Sequence, residues 1–285
     1  MELTNTISPA TIAATVVLYN PADDVFENVS SYAGQVAKVF VVDNSTRYNE
    51  TLIQRLRALP NVVYLNNGGN LGIARALNAG AAAAQGSYNY LLTMDQDTAL
   101  TFDFVSRLAT GFQTHTSAAI IAPLYTQPNN TSGKAFETVA FTMTSGNILR
   151  LDAYKKAGPF MDELFIDHVD HEYCLRLRSH GYSIVQDNSV FIAHRPGNVI
   201  GGRVLSRDIS FSSHSPLRFY YFVRNGFYVS RLYQAQFPDY GKFFRKQLMK
   251  EFAKLIFESR KGLRIKYFFK AWRDYRSNNL GPCQD

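Results

Sequence analysis

The chain has 285 residues, 46% apolar and 19% charged, a globular composition long enough for one large domain or two small ones. Its formal charge is +7, but twelve basic and three acidic residues fall in 242–276, which puts +9 there and leaves −2 for the rest. The positive balance belongs to the tail, so it does not by itself mark a nucleic-acid binder. Cys174 and Cys283 are too few and too far apart for a disulfide scaffold or a Cys-rich zinc site, which fits a reducing compartment. No run approaches the 18 or so apolar residues of a membrane span. The absence of Lys or Arg before Lys38 argues against a secretory signal.

The first half alternates two patterns. β-Branched apolar runs at 12–18, 36–42, 62–65, 88–94 and 119–122 read as strands, and 23–33, 50–58, 72–84 and 101–114 read as helices. Nearly continuous apolar strands between helices predict an α/β domain with a parallel sheet covered on both faces. Beyond it, 127–133 is a loop by composition. Residues 152–157 predict a short helix closed by Gly158-Pro159, and 170–180 predict another ending at Gly181. Residues 182–185 and 190–193 predict two short strands, and the pattern is helical from Ser215 almost to the end.

In such sheets ligands bind outside the carboxyl ends of the strands. Here those ends are polar: Tyr19-Asn20-Pro21, Asp43-Asn44-Ser45, Asn66-Asn67-Gly68-Gly69-Asn70-Leu71-Gly72 and Asp95-Gln96-Asp97. Any one is ordinary turn chemistry; four in register point to one crevice. Asp95 and Asp97 can hold a hard divalent cation, or Asp97 or Thr98 can cap the next helix. The glycine loop fits neither a P-loop nor a dinucleotide fingerprint. Arg75 behind it either faces a diphosphate or is solvated. Asp43 can accept from a ribose or base, or close an Asx turn. In Asp167-His168-Val169-Asp170-His171-Glu172, a carboxylate can act as a general base toward a hydroxyl. Against that, Asp170 can cap its helix and Glu172 can pair with Arg176 four residues on. His194, at a strand end, can ligate a metal, although a lone His is more often structural.

Together these residues resemble the family 2 glycosyltransferases of the GT-A fold. The matching pieces are 15–21, 41–45, 67–74, Asp95-Gln96-Asp97, Gly146-Asn147, 170–176 with Gly181, and Arg218-Phe219-Tyr220-Tyr221 with Arg224-Asn225. They span roughly 12–230. Asp95-Gln96-Asp97 and Phe165-Ile166-Asp167-His168-Val169-Asp170 are most similar to the bacterial rhamnosyltransferases of O-antigen and other surface polysaccharides.

The resemblance implies a Rossmann-like mixed α/β sheet flanked by helices. It implies inverting transfer from a nucleotide-diphospho sugar, with dTDP-L-rhamnose the expected donor and a UDP-sugar such as galactofuranose or glucose the alternative. Asp97, Asp95 and His194 would hold Mg²⁺ or Mn²⁺. Asn20, Asp43, Asn70, Arg75, Asp95 and Gln96 would meet the donor nucleotide. Asp170 would be the catalytic base, and Gly146, Asn147 and Glu172 would lie on the acceptor side. Two departures stand out: Val169 precedes Asp170 where an acidic neighbour is usual, and Gln96 occupies the centre of the metal motif.

In the tail, Phe244, Leu248, Phe252, Leu255 and Ile256 recur at helical steps, and Tyr267, Phe268, Phe269 and Trp272 add aromatics among Lys and Arg. The division expected is a catalytic domain at 1–235 and a basic amphipathic helical tail at 236–285. Phe244, Leu248, Phe252 and Trp272 would enter an anionic membrane surface at the inner face of the cytoplasmic membrane, near a glycan or lipid-linked acceptor. The alternative is a helix packed on the domain with its basic face wet. An oligomer stays open. A nucleotidyltransferase would need a Gly-rich basic loop where Asn20-Pro21 stands. Nucleic-acid binding leaves the acidic strand ends unexplained.

Overall fold

The computed structural model describes residues 7–125, 133–192, 199–204, 207–212, 215–255 and 260–284, with side chains described outside 193–214. In chain order the elements begin β1 (Ile12–Leu18), α1 (Val25–Ala33), β2 (Lys38–Asp43), α2 (Glu50–Arg57), β3 (Val62–Asn66), α3 (Ile73–Ala84) and β4 (Tyr90–Asp95). There follow α4 (Phe104–Ala109), α5 (Gly111–Thr114), β5 (Ala118–Leu124), β6 (Phe136–Thr138), β7 (Asn147–Arg150), α6 (Leu151–Ala157), α7 (Val169–Ser179) and β8 (Ser183–Phe191). A β9 (Val199–Val204) and β10 (Arg207–Ser212) pair leads to α8 (Pro216–Leu232), α9 (Pro238–Lys254) and α10 (Lys261–Arg276).

Eight strands form one mixed sheet in the order β3-β2-β1-β4-β7-β5-β8-β6. The first four are parallel, as the alternating pattern requires, and β5 is parallel to β8. β7 is antiparallel to both β4 and β5, between which it lies. β8 is one strand where two were expected. Its register against β5 shifts between the pairs Pro123–Asp187 and Leu124–Phe191. There the buried Asp187 carboxylate accepts from Ser189 N and Oγ at 2.8 and 2.7 Å, a local turn that breaks the sequence pattern without ending the strand.

Alternation along β1 divides the core. Ala13 and Val17 face α3, α6 and α7, whereas Ile12, Ala14, Val16 and Leu18 face α1, α2 and α4. The small side chains of α3 let it lie close on β1. Asn49 caps α2 by accepting from Leu52 N at 3.1 Å, and Ser215 caps α8 by accepting from Arg218 N at 3.2 Å, just before Pro216.

The tail packs on the body. Phe244 and Leu248 are only 1% and 9% exposed and join Phe219, Tyr220, Val223 and Ala271 in a third core. These two expected membrane residues are therefore interior. The helical period marks an apolar face but not whether protein or lipid covers it. Phe252 and Trp272 are exposed. Tyr240 of α9 belongs to the main core, so α9 packs on both the sheet domain and α8. No helix of the described residues is long and apolar enough to cross a membrane.

Candidate functional site

A cleft of about 400 Å³ opens at the carboxyl ends of β1 and β4, beside the loop that follows β3. It is lined by Tyr19, Asn44, Asn70, Gly72 and Asp95-Gln96-Asp97 on the sheet side, and by Phe165, Leu217, Arg218 and Tyr221 on the other. The polar strand ends thus converge as expected.

Hydrogen bonding fixes the sheet side. Asn44, buried at the end of β2, accepts from Leu71 N at 2.9 Å and Asn67 Nδ2 at 3.2 Å, and donates to Asn70 Oδ1 and the Gly72 carbonyl. Asn70 Oδ1 also accepts from Gly72 N. One amide therefore holds the glycine loop to β2. Gly72 is required: its φ is +88°, and a Cβ there would meet the Phe165 carbonyl at 2.7 Å.

Asp95 is half-buried. Its carboxyl is pushed up to about 6 from the usual 3.8, first by burial, then by the charges of Asp97 and Asp170, with Arg218 pulling the other way. Asp97 is exposed at the mouth. Asp170 lies in the first turn of α7 and borders a small internal space with Thr142, Thr144, Asn147 and Cys174 rather than the cleft itself. Its charge nevertheless reaches Asp95.

The segment before α7 is strained. Phe165, Asp167 and His168 have φ of +65°, +62° and +63°. The buried α8 holds it. Asn225 Nδ2 donates to the carbonyls of Leu164, Ile166 and Asp167 at 2.7, 2.8 and 3.0 Å, and Arg224 donates to those of Leu164 and Gly281. Arg218 pairs with Asp167 at 3.1 Å at the edge of the cleft. Asn44, Arg218 and Asn225 were present in the matching motifs, but no role could be read for them without the contacts they make.

Several expected contacts are corrected. Glu172 is fully buried; its carboxylate pairs bidentately with Arg176 and accepts from Tyr233 Oη at 2.8 Å, so it braces the core and cannot meet an acceptor. Asn147 is buried, donating to Met143 O and accepting from Thr93 Oγ1; the Gly146 amide bonds the Thr93 carbonyl. Both fasten β7 to β4. Asn20 Oδ1 accepts from Thr46 N, Thr46 Oγ1 and Arg47 N, a strut for the loop after β2. Gln96 does line the cleft, with its amide bonded to both main-chain groups of Tyr19 at 2.8 and 3.2 Å. Asp43 accepts from Ser45 N and Tyr64 Oη, and it does not line the cleft. Arg75 is exposed and also lies off the lining. His194 lies outside the described residues.

The Glycosyl transferase family 2 profile matches residues 15–178, more than half of the chain. The chain is 27% identical over 242 residues to the dTDP-rhamnosyl transferase RfbF of Shigella flexneri, covering 77% of this chain and 80% of that protein. Its fold is similar to S. aureus TarS (TM-score 0.55, 16% identity, 79% of this chain and 40% of that one). It is also similar to the mannosyltransferase PcManGT of Pyrobaculum calidifontis, solved with GDP-Man and Mn²⁺ (TM-score 0.61, 12% identity, 96% and 89%). The converging strand ends, the mixed sheet and the family profile agree: this chain is a glycosyltransferase and belongs to glycosyl transferase family 2.

Proposed function

We propose that this glycosyltransferase is inverting and metal-dependent, and that it moves L-rhamnose from dTDP-L-rhamnose to a hydroxyl of a glycan carried on a membrane lipid. The observation that carries this reading is the Asp95–Asp97 pair at the end of β4, with Asp170 near enough to act on Asp95 and Arg218 across the cleft. The relative named as a dTDP-rhamnosyl transferase supports the donor.

The residues fit a hard divalent cation. Two carboxylates share one cleft mouth; burial pushes Asp95 up first, and the neighbouring charge of Asp97 that adds to it is one a cation relieves. Among the described residues no cluster of three or more His, Cys, Asp or Glu is placed to hold a metal. Asp95 and Asp97, with His194 as the expected third protein ligand, would share it with diphosphate and water oxygens, as Mg²⁺ sites commonly do. When bound, Mg²⁺ or Mn²⁺ supplies Lewis-acid stabilisation of charge on the leaving diphosphate. Arg218 adds a cation to the cleft lining.

In this reading Asp170, half-buried beside the cleft rather than in its lining, takes the proton of an acceptor hydroxyl brought up to it as that oxygen bonds the anomeric carbon. The bond from that carbon to the diphosphate breaks, and the nucleoside diphosphate leaves. A single displacement needs one base and no carboxylate nucleophile, which matches one carboxylate set apart from the Asp95–Asp97 pair.

The test is a thermal-shift panel of dTDP, UDP and GDP with and without Mn²⁺, followed by turnover of the matching sugar donors. Metal-enhanced stabilisation strongest with dTDP is expected, together with transfer from dTDP-L-rhamnose. Asp97→Ala should lose the metal effect. Asp170→Asn should still bind nucleotide but transfer roughly 100-fold more slowly or worse. A stronger response to UDP would shift the donor to a UDP-sugar. No binding of any nucleotide or donor would overturn the reading.

A further inference from the structure

Of the four residues expected to enter a membrane, Phe252 and Trp272 stay exposed, and Met249, Ile265 and Phe269 are exposed beside them. Met249, Phe252, Ile265, Phe269 and Trp272 are 72%, 37%, 46%, 63% and 40% exposed. On α10, Ile265, Phe269 and Trp272 fall at steps of four and three, one face of the helix. The two helices meet at Phe252 and Phe268, whose rings are 5.0 Å apart, and Phe268 continues to Phe269 at 5.6 Å. The exposed apolar groups thus make one strip across both helices.

Cations surround it. Met249 shares a shallow groove with Lys242, Arg245, Lys246 and Lys250. Lys266 and Arg273 are exposed on α10. Among the described carboxylates of these helices, Asp239 is exposed at the start of α9 and pairs with Lys242 at 2.9 Å, while the other two are drawn inward. Glu251 pairs with Lys254, and the buried Asp274 accepts from Tyr220 Oη and Lys270. The outward charge around the strip is therefore positive.

The strip also begins beside the cleft. Arg218 and Leu217 line the cleft. The next residue, Phe219, packs against Phe252 at 6.2 Å and lies under the Arg264 guanidinium. One buried ring separates the site from the exposed aromatics.

We infer that this strip, carried by Met249, Phe252, Ile265, Phe269 and Trp272 within its basic border, docks on an anionic lipid bilayer and sets the cleft mouth at the membrane surface. Apolar side chains enter the acyl boundary while the cations meet lipid phosphates. The occupant is a bilayer rather than a nucleic acid because the face carries five exposed apolar side chains among its cations, not cations alone. The docking face rests on the surface of α9 and α10; its use in bringing a lipid-borne acceptor to Asp170 rests on the function proposed above.

The test uses the full chain, sedimented with phosphatidylcholine vesicles with or without phosphatidylglycerol. Binding to the anionic vesicles that weakens with salt is expected. Phe269→Ser with Met249→Ser, both on exposed positions, should lower partitioning roughly ten-fold or more. Lys246→Ala with Lys250→Ala should lower it roughly five-fold per charge at low salt. Nucleotide stabilisation of each variant, read by thermal shift, should stay unchanged, which separates docking from the donor site. Equal binding to neutral vesicles, or no binding to either, overturns the proposal. So does a strip that proves to be a self-association surface, with wild type dimeric and the Phe269→Ser/Met249→Ser variant monomeric in sedimentation. Preferential capture of an RNA or DNA oligonucleotide over anionic vesicles overturns it as well.

Discussion

Tyr240 Oη of α9 lies 2.6 Å from Nδ1 of His168 and 3.3 Å from Nδ1 of His171, the residues on either side of the Val169-Asp170 step. A residue expected to belong to a separate tail thus touches the helix that carries the candidate base. Burial, reinforced by His171, holds the His168 imidazole well below its ordinary 6.5, so it is neutral at pH 7.

The sign of the pH effect follows. The unfolded chain protonates His168 below 6.5 while the folded chain resists, so stability is full above 6.5 and falls as pH drops beneath it. The slope from this group is at most about 1.4 kcal/mol per pH unit. Urea unfolding from pH 7.5 to 5.5 should show it. His168→Asn, which suits the left-handed backbone at φ +63°, should flatten that part of the profile. Tyr240→Phe should cost about 1–3 kcal/mol by leaving the imidazole without this partner.

A chain ending at residue 235 should not fold cooperatively. It would strip Tyr240, Phe244 and Leu248 from two cores and remove the Gly281 carbonyl that accepts from Arg224 at 2.6 Å. Loss of near-ultraviolet circular dichroism and of nucleotide binding is the expected result. A truncated chain that keeps both would show that the catalytic body is independent.

Asn225→Ala should destabilise by about 2–3 kcal/mol, because one buried amide serves three carbonyls of the segment leading into α7. Transfer should fall more than donor binding, since the loop leads into Asp170 while the glycine loop stays tied to Asn44. Separate kcat and donor KM values check this.

Arg218→Ala should weaken binding of a nucleoside diphosphate roughly ten-fold or more and leave the free nucleoside unaffected. Arg218→Lys should fall between, keeping charge but losing the planar fork that now grips Asp167. Calorimetric titration with both ligands distinguishes a diphosphate contact from a general loss of structure.

Gly80→Ala and Gly226→Ala should each cost about 1–3 kcal/mol by overpacking. A Cβ at Gly80 would occupy the place of the Thr15 side chain, and one at Gly226 the place of the Phe244 ring. Gly34→Ala, with nothing within 4 Å, should be close to neutral. Melting temperatures of the three variants give the comparison.

How much was legible before folding depends on the range of the interaction. Strand and helix positions of the first half follow from local periodicity, which is why β1 falls on 12–18 and α3 on 73–84. The convergence of Asn44, Asn70, Asp95 and Asp97 followed from their common place after parallel strands. Roles inside that crevice were less legible. Asn20, Gln96, Asn147 and Glu172 have the chemistry of ligand contacts, yet each hydrogen-bonds protein partners between 4 and 77 residues away.

The +9 of residues 242–276 was determined by sequence alone, as was an apolar stripe at helical spacing. Periodicity reports a face, whereas the neighbour that covers it is a matter of packing. Tertiary structure turned Phe244 and Leu248 inward against α8 and left Met249 and Phe269 outside among the cations. It also joined the tail to the catalytic body through Tyr240 and His168, a contact across 72 residues that no local pattern encodes.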